Sequence, residues 1–273
     1  MATRPKSITT KPAFEVVPVA DRPKILAEIA ELADLGETAT DWFCLLRRGR
    51  LQRTPGGNPV VHPSRPLLDA IGVELSNSDA TCIMHHAITL MFGTMLDVVL
   101  PEFETLGSCQ KSILTDPTLQ LGDGPESHRQ ADLLGPVHWD FGQRGLLLVN
   151  FPKGKPAKEQ LAWFEKHHKD LKPDLNKVVA SFDARFTALS PAQRCVVKYA
   201  GEKHQVFVPG VLLAESACSV DEYVDLVIAA HCKIAGVFDI SQDDENMERA
   251  RIRNAATAMA RFRDLADAPL AVN

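Results

Sequence analysis

The sequence predicts an α+β fold, a small sheet packed by several helices, with a long apolar core helix near 78–100 and a helix at the C-terminus. Three observations predict it. The composition, 45% hydrophobic and 24% charged residues over 273 positions, is that of a chain able to bury a core without disulfides or metal staples. Short runs rich in Val, Phe and Leu, bounded by Pro and Gly, are mixed with longer segments whose apolar residues recur at steps of three and four. The two kinds of segment do not alternate regularly, as a parallel βαβ sheet would require. Residues 13–273 are expected to form one globular domain behind a flexible tail at 1–12, with a weak boundary in the loop 105–135.

In chain order, Phe14-Glu15-Val16-Val17-Pro18-Val19 reads as a short edge strand. Asp21 reads as a helix cap with Pro23 in the first turn, and Ile25, Ile29 and Leu32 form the apolar stripe of a helix ending near Gly36. Trp42 to Leu51 reads as a strand. Thr54-Pro55-Gly56-Gly57-Asn58-Pro59 is a turn, returning a hairpin through Val60 and Val61. A loop through Pro66 precedes a short helix over Leu67 to Ile71.

Ser76 or Ser78 caps the long apolar helix, which Pro101 stops. Its most apolar part, Cys82 to Leu100, approaches membrane-spanning length, but His85, His86, Gly93 and Asp97 are costly in lipid and favour a buried core helix. Thr105 to Gly135 is rich in Gly, Pro, Asp and Ser and reads as a surface loop. Gly145 to Phe151 reads as a buried strand and Ala157 to Lys169 as a helix. Leu175–Leu189 and Pro191–Tyr199 follow as helices, the second capped by Ser190. Gln205 to Val208 reads as a strand ended by Pro209 and Gly210. A helix starting at Ser219 or Asp221 runs through His231, and a last one spans about Asp244 to Ala266 with Ile252, Ala255, Met259, Phe262 and Ala266 on its stripe.

Net charge is −5, from 30 Lys and Arg against 35 Asp and Glu, which gives no general attraction to nucleic acid or to anionic membrane. The six cysteines form no C-x-x-C pair, and Met1 to Lys6 is charged with no apolar run behind it. A soluble, cytoplasmic protein with reduced, mostly buried thiols is expected.

The sharpest chemical feature is His138-Trp139-Asp140 ahead of the run Leu146 to Val149. In an extended segment alternate side chains share a face, so His138 and Asp140 can approach one ion. His204, read at another strand start, supplies a third ligand. Two histidines and a carboxylate leave positions open on an iron ion. The pattern is similar to that of the Fe(II)/2-oxoglutarate oxygenases. That resemblance implies a double-stranded β-helix holding iron at His138, Asp140 and His204. The same donors holding zinc would suit a hydrolase, in which the metal lowers the pKa of bound water. Fe or Zn is accordingly the candidate cofactor.

His85-His86 lies in the apolar helix and offers either a haem or metal ligand, or a core histidine satisfied by a carbonyl. Arg47, Arg48, Arg50 and Arg53 precede the Gly56-Gly57 turn and could contact phosphate or nucleic acid, or simply protect a hairpin edge from aggregation. No Walker, G-x-G-x-x-G or G-x-S-x-G motif is present. The final helix offers a face for a protein partner or a second copy.

Two functional readings result. The main one is a metal-dependent enzyme, oxygenase-like or hydrolase-like. The alternative is a non-enzymatic subunit of a multi-protein or nucleoprotein assembly with a local basic patch.

Overall fold

The structure, a computed structural model, describes residues 13–33, 40–76, 86–101, 116–118, 175–235 and 242–267. These form eight α-helices and a four-stranded antiparallel sheet, so the α+β class stands as expected, with helix dominating. The chain divides into two compact units, Met1–Asp97 with Leu265–Asn273, and Val98–Asp264.

The first unit is built on the sheet. β1 (Phe14–Pro18) pairs antiparallel with β2 (Phe43–Arg47), Phe14 opposite Arg47 and Pro18 opposite Phe43. The other edge of β2 is shared by β3 (Arg50–Leu51) and β4 (Val61–His62). Among the described strands β2 is therefore central and β1 lies at an edge, as the sequence reading expected. Trp42 to Leu51 is not one strand. Arg48 and Gly49, at φ 53° and 79°, make a two-residue hairpin turn between β2 and β3. Two consecutive positive φ values are what a tight hairpin needs to match the strand twist, and Gly49 adopts its own without strain.

Alternation along the strands divides their side chains between two helices. Val17, Cys44 and Leu46 face Ile25, Leu26 and Ile29 of α1 (Pro23–Ala33), in a core that also holds Val19 and Val61. Asp21 lies in a single 3-10 turn, Val19–Asp21, just before Pro23 opens α1. The opposite face, carrying Phe14, Val16 and Leu45, meets α2 (Arg65–Ser76). α2 is longer than its apolar residues suggest. The Ser64 hydroxyl accepts the Leu67 N–H at 3.4 Å, and Pro66 sits in the first turn, where its missing donor does no harm. α3 (Ala87–Thr94) follows, continued by a π-helical turn, Met95–Val99, before Pro101. The rest of the predicted apolar helix, 77–85, lies outside the described residues.

In the second unit, α4 (Leu175–Ala188), α5 (Pro191–His204) and α7 (Val220–Ala235) surround α6 (Val208–Ala214), all seven residues of which are buried. Ser190 caps α5 in a reciprocal box with Gln193, as its position before Pro191 predicts. Gln205 to Val208 is not a strand. Gln205 ends α5 in a left-handed cap at φ 54°, and Pro209 falls in the first turn of α6. A short apolar run beside a proline fits a buried helix start as well as a strand end. At Gly210 an added Cβ would lie 2.9 Å from the Ala200 Cβ, so the glycine sets how closely α6 approaches α5.

α8 (Gln242–Ala266) buries Ile252, Ala256, Met259 and Phe262 completely, a stripe that takes Ala256 where the sequence reading took Ala255. Each large apolar side chain so buried contributes about 1.5–3 kcal/mol. The arginines of α8 pair with carboxylates around it, Arg249 with Asp225 and Glu245, Arg253 with Asp221.

Candidate functional site

The groove between β1 and α2 in the first unit has a volume of about 400 Å³. Its floor is Phe14, Val16 and Leu45, and its wall is Gly72 and Val73. Gly72 lets α2 lie close to the sheet, since even the Cβ of an alanine there would come to 3.4 Å from Leu45 and 3.7 Å from Phe14. Val73 is 59% exposed, unusual for an apolar residue in a packed helix.

Beside the groove runs the edge of β1 that no described strand pairs with. The Ala13 carbonyl accepts the Arg48 N–H, and the Val19 N–H donates to the Trp42 carbonyl. These bonds fix the parity of the ladder. Residues 13, 15, 17 and 19 turn their peptide groups toward β2, so Phe14 and Val16 turn theirs outward, with the carbonyl of Pro18. No hydrogen bond to the Phe14 or Val16 N–H is made by any described residue.

The predicted basic strip closes one end of this edge, in a different arrangement from that expected of a continuous strand. The turn at Arg48-Gly49 places Arg47 and Arg50 directly opposite each other, so both lie on the α2 face of the sheet. The Arg47 guanidinium is 5.8 Å from the centre of the Phe14 ring. Arg47, Arg48 and Arg50 are exposed and form no ion pair among the described residues. Arg53 is engaged elsewhere, paired with Glu28 and donating to the Gly57 carbonyl at 2.6 Å.

At the far side of the hairpin loop, Asp97 in the π turn accepts hydrogen bonds from Thr54 Oγ1, the Gly56 N–H and Asn58 Nδ2. Burial alone would raise its pKa, but those three donors outweigh it and hold the carboxyl below its ordinary value. His86 precedes α3. The first N–H groups of that helix go to Glu74, whose carboxylate accepts from Ile88 and Thr89.

Of the three predicted metal ligands, His138 and Asp140 lie outside the described residues. His204 is described, and it is not at a strand start. It is the last residue of α5, buried, with Nδ1 2.8 Å from the hydroxyl of Tyr223 on α7. Just after His204 in the chain, the N–H groups of Phe207 and Val208 donate at 2.6 Å each to the fully buried Asp116, which also accepts the N–H and hydroxyl of Thr118. Burial pushes the Asp116 carboxyl up, against the hydrogen bonds that favour its charge.

The sequence reading missed the groove. The edge strand at 14–19 was visible, but the turn that brings Arg47 and Arg50 beside Phe14 was not, because Arg-Gly lacks the usual Asn-Gly or Asp-Gly signature.

The chain matches no family model and no curated protein. It does resemble two solved structures. The crystal structure of Atp12 from Paracoccus denitrificans matches with a TM-score of 0.58 at 17% identity, over 82% of this chain and 91% of that one. A point mutant of the same protein matches with a TM-score of 0.57, at the same identity and coverage. The metal-enzyme reading is corrected by this finding. The fold is that of Atp12, not the double-stranded β-helix that an oxygenase site at His138, Asp140 and His204 requires, and His204 ends a helix where that site needs a strand. At this identity the likeness is one of fold.

Proposed function

We propose that this protein is a non-enzymatic assembly factor, which holds a polypeptide partner until that partner enters a larger complex. The observation that carries the reading is the fold shared with Atp12 along 82% of this chain and 91% of the other. Atp12 is an ATP synthase assembly chaperone, so the partner proposed is an unassembled ATP synthase subunit. A strand edge that no described strand pairs with, a half-exposed apolar groove, and arginines beside it that have no ion pair among the described residues support the reading, since each is a feature that a protein partner would cover.

The C-terminal helix was the partner surface expected from the sequence. Its apolar stripe is spent inside the chain, so a partner or a second copy meeting α8 would use its outer face, where Met247 is 64% exposed. No helix among the described residues is long and apolar enough to cross a membrane. The compartment that follows from this reading is the bacterial cytoplasm or the mitochondrial matrix. Buried thiols at Cys44, Cys195 and Cys218, none of them in a disulfide among the described residues, accord with it.

The test is holdase activity without cofactors. Each ATP synthase subunit is diluted from denaturant with and without an equimolar amount of this protein, in chelator and without nucleotide, and light scattering is followed. Scattering should fall for one subunit, and a stoichiometric complex should elute on gel filtration. If no subunit is protected or retained, the reading fails.

A further inference from the structure

We infer that the β1 edge and the β1–α2 groove receive an extended segment of the partner as an added β-strand, and that this segment carries a carboxylate that lands on Arg47 and Arg50. The inference rests on the assembly-factor reading and states which surface does the holding and what chemistry it selects.

Backbone geometry argues for a strand. Phe14 and Val16 each direct an N–H and a carbonyl away from β2, and Pro18 adds a carbonyl. These groups match the peptide rhythm of an extended chain, and main-chain pairing at an exposed edge gives affinity without demanding a fixed sequence. Pro18 ends the donor row, so the added strand is short, about as long as β1 itself. Side chains of the added strand alternate between two faces. Those on the α2 side enter the groove over Phe14, Val16 and Leu45, against Val73, and that space accepts apolar residues at every second position.

Charge complementarity argues for the carboxylate. Arg47 and Arg50 are a directly opposed like-charge pair on the groove side of the sheet, an arrangement that destabilises a ladder. Neither has an acidic partner among the described residues, and Arg48 in the turn adds a third positive charge. The nearest acid in the groove lining, Asp69, is paired with Arg65. An aspartate or glutamate at the Phe14 end of the incoming strand would relieve the opposition and form forked hydrogen bonds.

The test uses the full-length protein and the ATP synthase subunit it retains. Val16→Pro removes an outward N–H and leaves the β1–β2 ladder bonds intact. Arg47→Glu with Arg50→Glu reverses the charge. Gly72→Ala fits sterically and narrows the groove. Each should weaken the complex about tenfold, while Gly72→Ala also raises the thermal midpoint because alanine suits a helix better. In the wild-type complex, hydrogen exchange at the Phe14 and Val16 amides should slow. That readout and the charge variant stand even if Val16→Pro does not fold.

Unchanged affinity in the folded variants, with Phe14 and Val16 still exchanging freely in the complex, overturns the inference and leaves the assembly-factor reading in place. A wild-type protein that retains no subunit overturns both. Binding of a fluorescent oligonucleotide that is lost in the charge variant and falls steeply with salt would reassign the arginines to nucleic acid and overturn the inference as well.

Discussion

His62 shows how much one half-buried side chain can decide in this molecule. It closes β4 with its ring edge-on to Phe92, centroids 5.9 Å apart, and tilted against Trp42. Nδ1 accepts the Ser64 N–H at 3.0 Å, so in the neutral ring the proton sits on Nε2. Burial lowers its pKa from 6.5 to about 4. The folded state therefore resists protonation that the unfolded chain accepts near pH 6.5. Its contribution is fully present above that pH and is lost as pH falls toward 4, in total about 3 kcal/mol. His62→Asn keeps an acceptor for Ser64 and abolishes the titration. Urea unfolding at pH 7.5 and 4.5 should show the parent losing about 2–3 kcal/mol more than the variant. An equal loss in both would contradict the assignment. The thiols report the same dryness, burial pushing Cys44 up to about 11 and Cys195 to about 12, as expected of cysteines read as small core hydrophobes.

Between elements, polar side chains do the fastening that apolar periodicity cannot reveal. Asp97 in the π turn ties the loop Thr54–Asn58 to the end of α3 through three hydrogen bonds, and Glu74 of α2 caps the start of α3. Asp97→Ala should cost about 2–3 kcal/mol in chemical denaturation, because it leaves those donors without a charged acceptor. A loss below about 0.5 kcal/mol would mean that water replaces the carboxylate without penalty. Local signals were legible where sequence alone imposes them. The apolar run Phe14–Val19 marked an edge strand, Ser190 before Pro191 marked a helix start, and the stripe through Ile252, Met259 and Phe262 marked a docked helix. They failed where tertiary structure chose between equal local options. Arg48-Gly49 folds into a turn inside an apparently continuous strand, and Gln205–Val208 joins two helices although its apolar residues suit a sheet. The candidate site was half legible. Its edge strand and its arginines were noticed, but their meeting depends on that unsignalled turn.

For the molecule as a whole, three residue types at suggestive spacing were weaker evidence than the path of the chain. His204 looked like a ligand because it was placed on a strand. At the end of α5 it is a buried partner of Tyr223, and the fold around it is shared with Atp12. Among the described residues, the first unit has Phe14 and Val16 N–H groups without a hydrogen bond, a groove of about 400 Å³, and Arg47, Arg48 and Arg50 without an ion pair, and the proposed assembly role rests in part on these features. A holding factor must also let go, and the burial of its surface by a free subunit must compete with burial by that subunit's final neighbours. The most direct test of this account is native mass spectrometry of the protein mixed with separate ATP synthase subunits, and in parallel with the assembled enzyme. The account predicts a one-to-one complex with a free subunit and none with the assembled enzyme. Equal binding to both, or binding to neither, would contradict it.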